Sequence, residues 1–216
     1  MSRYAVRMEN TIRMRTRVLI AVCAVVWSLC AFAPIDRLTW ALEQIATVLV
    51  VLALLMQRGV RYSFSSWMGL AALFCAHTIG THYTYSLTPY NEWFLDCTGV
   101  SIDDVLGWER NNYDRLVHLL WGLCMTQPIC ETFLQRLRTS TRAARHLSFH
   151  VVLSTSALYE LLEWAAAVTI GDGGLAYVGS QGDIWDAQAD IAVCIVGWAM
   201  VVALQMARSG LRGRNV

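Results

Sequence analysis

The chain has 216 residues, of which 56% are hydrophobic and only 15% charged, with a formal net charge of +1. A water-soluble domain ordinarily carries about 25% charged residues, so this balance excludes an ordinary soluble enzyme and points to lipid as the solvent. The near-neutral charge gives no reason to expect a nucleic-acid partner, and every side-chain cation other than histidine is an arginine, since lysine is absent.

Arg7, Arg13, Arg15 and Arg17 lead into an apolar run from Val18. Ala31-Phe32-Ala33 has the small-residue pattern of a signal-peptide cleavage site, but Pro34 follows at once, so a retained signal-anchor helix is expected. A bilayer needs about 20 mostly apolar residues per helix. The fold class predicted is an all-α, single-domain membrane bundle of six helices, at about 17–34, 38–56, 64–85, 113–134, 147–171 and 187–207. Between the third and fourth, residues 86–112 carry Glu92, Asp96, Asp103, Asp104 and Glu109 beside Trp93, Phe94 and Trp108, which suggests a short surface helix. Residues 172–186 hold Gly173, Gly174, Gly179 and Gly182 and predict a tight loop. Six of the cysteines sit in apolar stretches and only Cys97 in a polar one, and the absence of CxxC spacing argues against a thiolate zinc site.

Arginines fix the expected orientation. The segment before the first span holds Arg3, Arg7, Arg13, Arg15 and Arg17; Arg58 and Arg61 lie between spans two and three. Arg136, Arg138, Arg142 and Arg145 lie between spans four and five, and Arg208, Arg212 and Arg214 follow the sixth. With six spans these segments share one side, leaving only Arg37, Arg110 and Arg115 on the other. Positive residues stay inside, so both termini are expected in the cytoplasm.

A charged side chain at mid-membrane costs at least about 2.5–3.5 kcal/mol, so several together must face one another or a wet cavity. At about 1.5 Å per residue from each outer end, Asp190 and His118 lie roughly 6–8 Å deep, Glu43 roughly 9 Å, His77 and Glu163 roughly 12 Å, and Glu160 roughly 16 Å. All fall in the outer half. Asp114 and His118, Glu160 and Glu163, and Asp186 and Asp190 are spaced three or four apart, so each pair shares a helix face. His77 and His82 are five apart and point differently; His77, the deeper, is expected at the shared centre. Imidazole with carboxylate suits zinc, iron or manganese, which makes His77, His118, Glu160, Glu163, Asp186 and Asp190 candidate ligands of a divalent metal. Asp114, His118, Glu160, Glu163 and Asp190 are the candidate acids, bases and nucleophile activators, since a bound metal makes water nucleophilic. Arg115 is placed to hold a phosphate or carboxylate at the mouth. Glu131, at the other end of its helix, is expected to pair with Arg136 or Arg138. The bland alternative is that the carboxylates pair with Arg37, Arg115, His118 or tyrosines and only fix helix packing.

The chain resembles the YjdF family of bacterial inner-membrane proteins, whose domain has no assigned function. The resemblance runs through Pro34-Ile-Asp-Arg37 with Trp40 and Glu43, His82-Tyr-Thr-Tyr85, and Asn112-Tyr-Asp-Arg115 with His118. It continues in Tyr159-Glu160-Leu-Leu-Glu163-Trp164 and Gln181-Gly-Asp-Ile-Trp-Asp-Ala-Gln188 with Asp190. Tyr85, Gln181 and Asp183 lie in these stretches and join Arg115 as candidate ligand-binding residues. Thr81 stands where family members often have glycine. A fainter similarity runs to VanZ-like membrane proteins, in which an Asp-Lys/Arg-x-x-His stretch is followed by a Glu and an Asp on later helices. It implies work on the cell envelope. The expected partners are membrane lipid and a lipid-linked or cell-wall substrate, and the expected activity is an envelope enzyme acting on a lipid headgroup or cell-wall precursor. A small-ligand or proton-coupled transporter and a structural subunit of a membrane complex are the alternatives.

Overall fold

The computed structural model describes residues 3–170 and 179–213. These residues form eight helices and no strand: α1 (Arg3–Phe32), α2 (Arg37–Met56), α3 (Phe64–His82), α4 (Tyr90–Thr98), α5 (Ile102–Leu106), α6 (Tyr113–Arg136), α7 (Thr141–Ile170) and α8 (Asp186–Gly213). Four segments are long and apolar enough to cross a membrane, namely Thr11–Phe32, Arg37–Met56, Thr141–Thr169 and Asp186–Ser209. Helices α3 and α6 are of similar length but are not among these four. Large apolar side chains such as Leu29, Leu52, Leu161 and Trp164 face outward, as they do where lipid surrounds the bundle.

Helix α6 is the hub. It packs against α3, α7 and α8, while α1 leans on α3 and α2 meets α3 only lightly. The α6–α8 crossing is close because glycines face each other: a Cβ on Gly122 would sit 2.1 Å from the Cys194 carbonyl oxygen, and one on Gly197 would sit 2.5 Å from that of Leu119. Small residues allow such backbone contact between membrane helices. At the α3–α6 contact, Leu73, Tyr113 and Val117 form a buried cluster, and the Tyr113 hydroxyl donates to the Ala76 carbonyl at 2.9 Å.

Caps and short polar contacts set the helix ends. Asp36 accepts from the Thr39 N–H at 2.7 Å and starts α2; Ser63 does the same for α3 through Ser66. Glu131 differs from its expected pairing with Arg136 or Arg138. It accepts from the Ser63 N–H at 3.0 Å, the Ser66 hydroxyl at 2.8 Å and Gln127 at 2.9 Å, tying α6 to the start of α3. Arg136 donates instead to the Arg58 carbonyl. The segment expected to hold one surface helix holds two, α4 and α5, each ended by a left-handed glycine, Gly99 and Gly107. A hydrogen bond of 2.6 Å from Tyr90 to Asp103 joins them. Burial, reinforced by this bond, pushes the Tyr90 hydroxyl pKa up to about 12. Of the loop expected over 172–186, residues 172–178 lie outside the described residues.

Candidate functional site

The mouth of the site is built where α6 and α8 begin. Arg110, just before α6, pairs with Asp114, the second residue of that helix, and with Asp186, the first residue of α8. Arg115 pairs with Asp183, and its guanidinium also lies 3.9 Å from Asp186. Asp183 accepts the Trp185 N–H at 2.9 Å. That N–H, with Arg115 beside it, holds the Asp183 carboxyl below the usual carboxylate range. Gln181 adopts a left-handed backbone and clasps Asn111 through two hydrogen bonds of 3.1 and 2.9 Å. Gln181 and Asp183 therefore latch the loop before α8 onto the segment before α6. The sequence reading had placed both against a ligand. The buried Nε–H of Arg115 has no hydrogen-bond partner.

One turn deeper, three helices converge. His118 lies below Asp114 on α6, Asp190 below Asp186 on α8, and Glu160 comes across from α7. His118 Nε2 is 3.3 Å from Glu160 Oε1. One ligand atom from each of His118, Glu160 and Asp190 falls within 4.8 Å of the others, and Asp114, Asp186 and Asp190 form a second such group. Asp190 is 3% exposed and Glu160 9%. Yet Asp190 Oδ1 and Glu160 Oε1 are buried without a hydrogen bond, the His118 contact lacking the geometry of one. A buried carboxylate oxygen without a partner is costly. A cation satisfies both oxygens together, and the one-imidazole, two-carboxylate set suits zinc, manganese or iron. On the far side of the ring, Cys194 donates to the His118 carbonyl at 3.0 Å, with its sulfur 3.6 Å from Nδ1. Glu163 stands one turn from Glu160 on α7, outside both three-residue groups.

His77 has a different place from the one its depth suggested. Its Nδ1 meets the Tyr85 hydroxyl and its Nε2 the Thr47 hydroxyl at 3.0 Å, so both ring nitrogens are engaged and it falls outside both groups of possible metal ligands. His82 turns away to the Cys30 carbonyl at 2.8 Å. Thr84 and Tyr85 adopt left-handed backbone (φ 59° and 55°), which ends α3 and folds the Tyr85 ring back over Gly80. A Cβ on Gly80 would lie 2.8 Å from that ring. Such strain in non-glycine residues persists only where the surroundings fix it. Across the site the Tyr159 hydroxyl donates to Glu43 at 2.6 Å, and Glu43 is buried. Below these groups lies a cavity of about 550 Å³ between α2, α6 and α7, with His77, Tyr85, Asp114, His118, Tyr159 and Glu163 at its polar end.

Sequence reasoning passed over Arg110, Cys194 and Tyr159 as site residues. The four-residue spacing of Arg110 and Asp114 was a usable signal for the first. Tyr159 stands in one of the resemblance motifs without a role of its own, and nothing marked Cys194; their partners are 116 and 76 residues away.

The family model for predicted membrane proteins DUF2238 matches residues 15–210. The inner membrane protein YjdF of Escherichia coli (strain K12) is 33% identical over 178 residues, covering 80% of this chain and 79% of that protein. No solved structure matches the chain.

Proposed function

Because the chain belongs to the DUF2238 family of predicted membrane proteins, we propose that it is a six-span inner-membrane enzyme that uses a divalent cation near the outer face to hydrolyse or transfer a group on an envelope substrate. His118, Glu160 and Asp190 hold the cation. The observation that carries this reading is the pair of buried, unpartnered oxygens, Glu160 Oε1 and Asp190 Oδ1, beside His118 Nε2. A cation there lowers the pKa of a bound water. Glu163, one turn from Glu160, would take the proton of that water, and the oxygen would bond to the substrate's carbonyl or phosphoryl centre as the bond to the leaving group breaks, the leaving group taking that proton. Arg115, whose side chain is 27% exposed at the mouth, holds the substrate's anion. Helices α3 and α6 count as spans because they pack in the bundle with the four apolar helices. The arginine distribution then sets both termini in the cytoplasm. The inner end of the cavity is lined mainly by apolar residues such as Leu54, Ile129 and Phe133, with Gln57, Tyr62 and Thr132 among them, and this sparse polar lining favours catalysis over transport.

The test is metal analysis of protein purified without chelator and then offered zinc or manganese. About one cation per chain is expected, because a ligand set of this kind binds only with its donors deprotonated and in place. His118→Ala and Asp190→Asn should lose it while keeping the helical signal and cooperative melting. Wild-type protein that takes up neither metal would sink the reading.

A further inference from the structure

We infer that the apolar slot beneath the site holds one acyl chain of a membrane phospholipid, admitted sideways between α2 and α7, with the lipid's head against His118, Glu160 and Asp190. The inference rests on the catalytic reading above and names its substrate class.

The slot follows one face of α6 from Asp114 to Phe133. At about 1.5 Å per residue that path is roughly 28 Å, while one leaflet's hydrocarbon is roughly 15 Å, half of the bilayer core. An acyl chain whose head lies at the polar end therefore fits inside it. The lower part holds few polar groups, and apart from Ser156, whose buried hydroxyl has no partner, and Gln57 at the inner end, they are engaged. Thr132 is bonded to Tyr62 and to the Pro128 carbonyl, and Thr155 accepts from Trp121 while donating to the Val151 carbonyl. An apolar cavity of about 550 Å³ is far larger than the voids that packed interiors leave. Such a space stays dry or takes an apolar guest. Its opening indicates where the guest comes from. Leu49 of α2 and Leu158 and Leu162 of α7 line the slot, yet are 54%, 58% and 48% exposed on the apolar outer surface. The gap between α2 and α7 thus faces hydrocarbon. Ala46 and Ala53 keep the α2 wall thin. The Tyr159–Glu43 hydrogen bond closes that gap only at the polar end.

The experiment uses the full chain in nanodiscs doped with a phosphatidylglycerol that carries a diazirine near the end of one acyl chain. Light-driven crosslinks are expected on slot residues such as Met125 and Leu158. They should fall about tenfold or more, a change of about 1.4 kcal/mol in occupancy, in Ala53→Trp, which fills the slot away from the polar site. Ala46→Phe serves as a second slot-filling variant should Ala53→Trp fail to fold. Unchanged metal content in the variant shows that the polar site is intact. Crosslinks confined to outward residues such as Leu161 and Trp164, equal in wild type and variant, overturn the inference. So does loss of the slot crosslinks to an added polyprenyl phosphate when excess unmodified phospholipid leaves them in place. Metal binding without slot crosslinks sinks the lipid slot alone; slot crosslinks without metal sink the catalytic reading alone.

Discussion

Arg110 bridges Asp114 and Asp186, and its side chain is 15% exposed, theirs 16% and 9%. Removing the guanidinium leaves two carboxylates facing each other and Asp190 beneath them. Arg110→Ala should therefore destabilise the protein by about 3 kcal/mol, the low end for breaking a buried pair because the mouth is near water. Thermal melting in detergent measures it. Arg115→Ala breaks a more exposed pair and should lower the melting temperature far less; equal melting of the two variants would contradict this ranking. Asp183 supplies a pH test. Its folded pKa lies below the usual 3.8, so the ionised form is favoured by folding. Its stabilisation is complete above the unfolded value and disappears as pH falls through the lower folded one. The melting difference between wild type and Asp183→Asn should thus be constant from neutral pH down to about 4 and shrink below it; a difference that grows toward acid would be the wrong sign. At this scale the sequence was half legible. Spacing paired Asp114 with His118 and Asp186 with Asp190 on shared faces, because helix period alone decides that. It could not choose partners across helices, which depend on rotation and crossing angle. So Arg110, Tyr159 and Cys194 went unnoticed, and His77 was placed among the ligands although Tyr85 and Thr47 occupy its ring.

The α6–α8 crossing governs whether His118 and Asp190 can share a ligand, since each rides on one of these helices. Gly122→Ala puts a methyl 2.1 Å from a backbone oxygen of α8, which a side-chain rotation cannot relieve. The helices must part, at a cost of about 1–3 kcal/mol for overpacking. Metal affinity should fall by about 10–100-fold, as when the support of a ligand is lost. Zinc titration beside a melting curve checks both; unchanged affinity would mean the crossing does not set the site. Helix positions were largely legible, because apolar runs of bilayer length are unmistakable. The expected 38–56 and 113–134 match α2 (Arg37–Met56) and α6 (Tyr113–Arg136) closely. Helices α1 and α7 begin earlier than expected, at Arg3 and Thr141, because a search for apolar windows stops where a helix continues among arginines. Helix α3 ends at His82, short of the expected 85, since the left-handed Thr84 and Tyr85 cannot continue it.

At the scale of the whole molecule, the placement of α2 was not legible. Its sequence is apolar on nearly every side, so nothing in it said that it would stand off from α6 and leave a slot. Orientation rests on the arginines alone, and one residue can test it. If only the four apolar segments cross the membrane, residues 57–140 stay on the cytoplasmic side and Cys97 with them. If α3 and α6 also cross, α4 and Cys97 face outward. Four or six spans both put the two termini on one side, which the arginines would make the cytoplasm, so tags on them do not discriminate. Cys97 does, because among the cysteines it is the exposed one and the rest are buried or half-buried. A membrane-impermeant maleimide applied to sealed right-side-out vesicles should modify Cys97, as mapped by mass spectrometry, and inside-out vesicles should protect it. The opposite pattern would turn the polar mouth, which α4 and α5 flank, toward the cytoplasm and exclude an envelope substrate that reaches the site from outside.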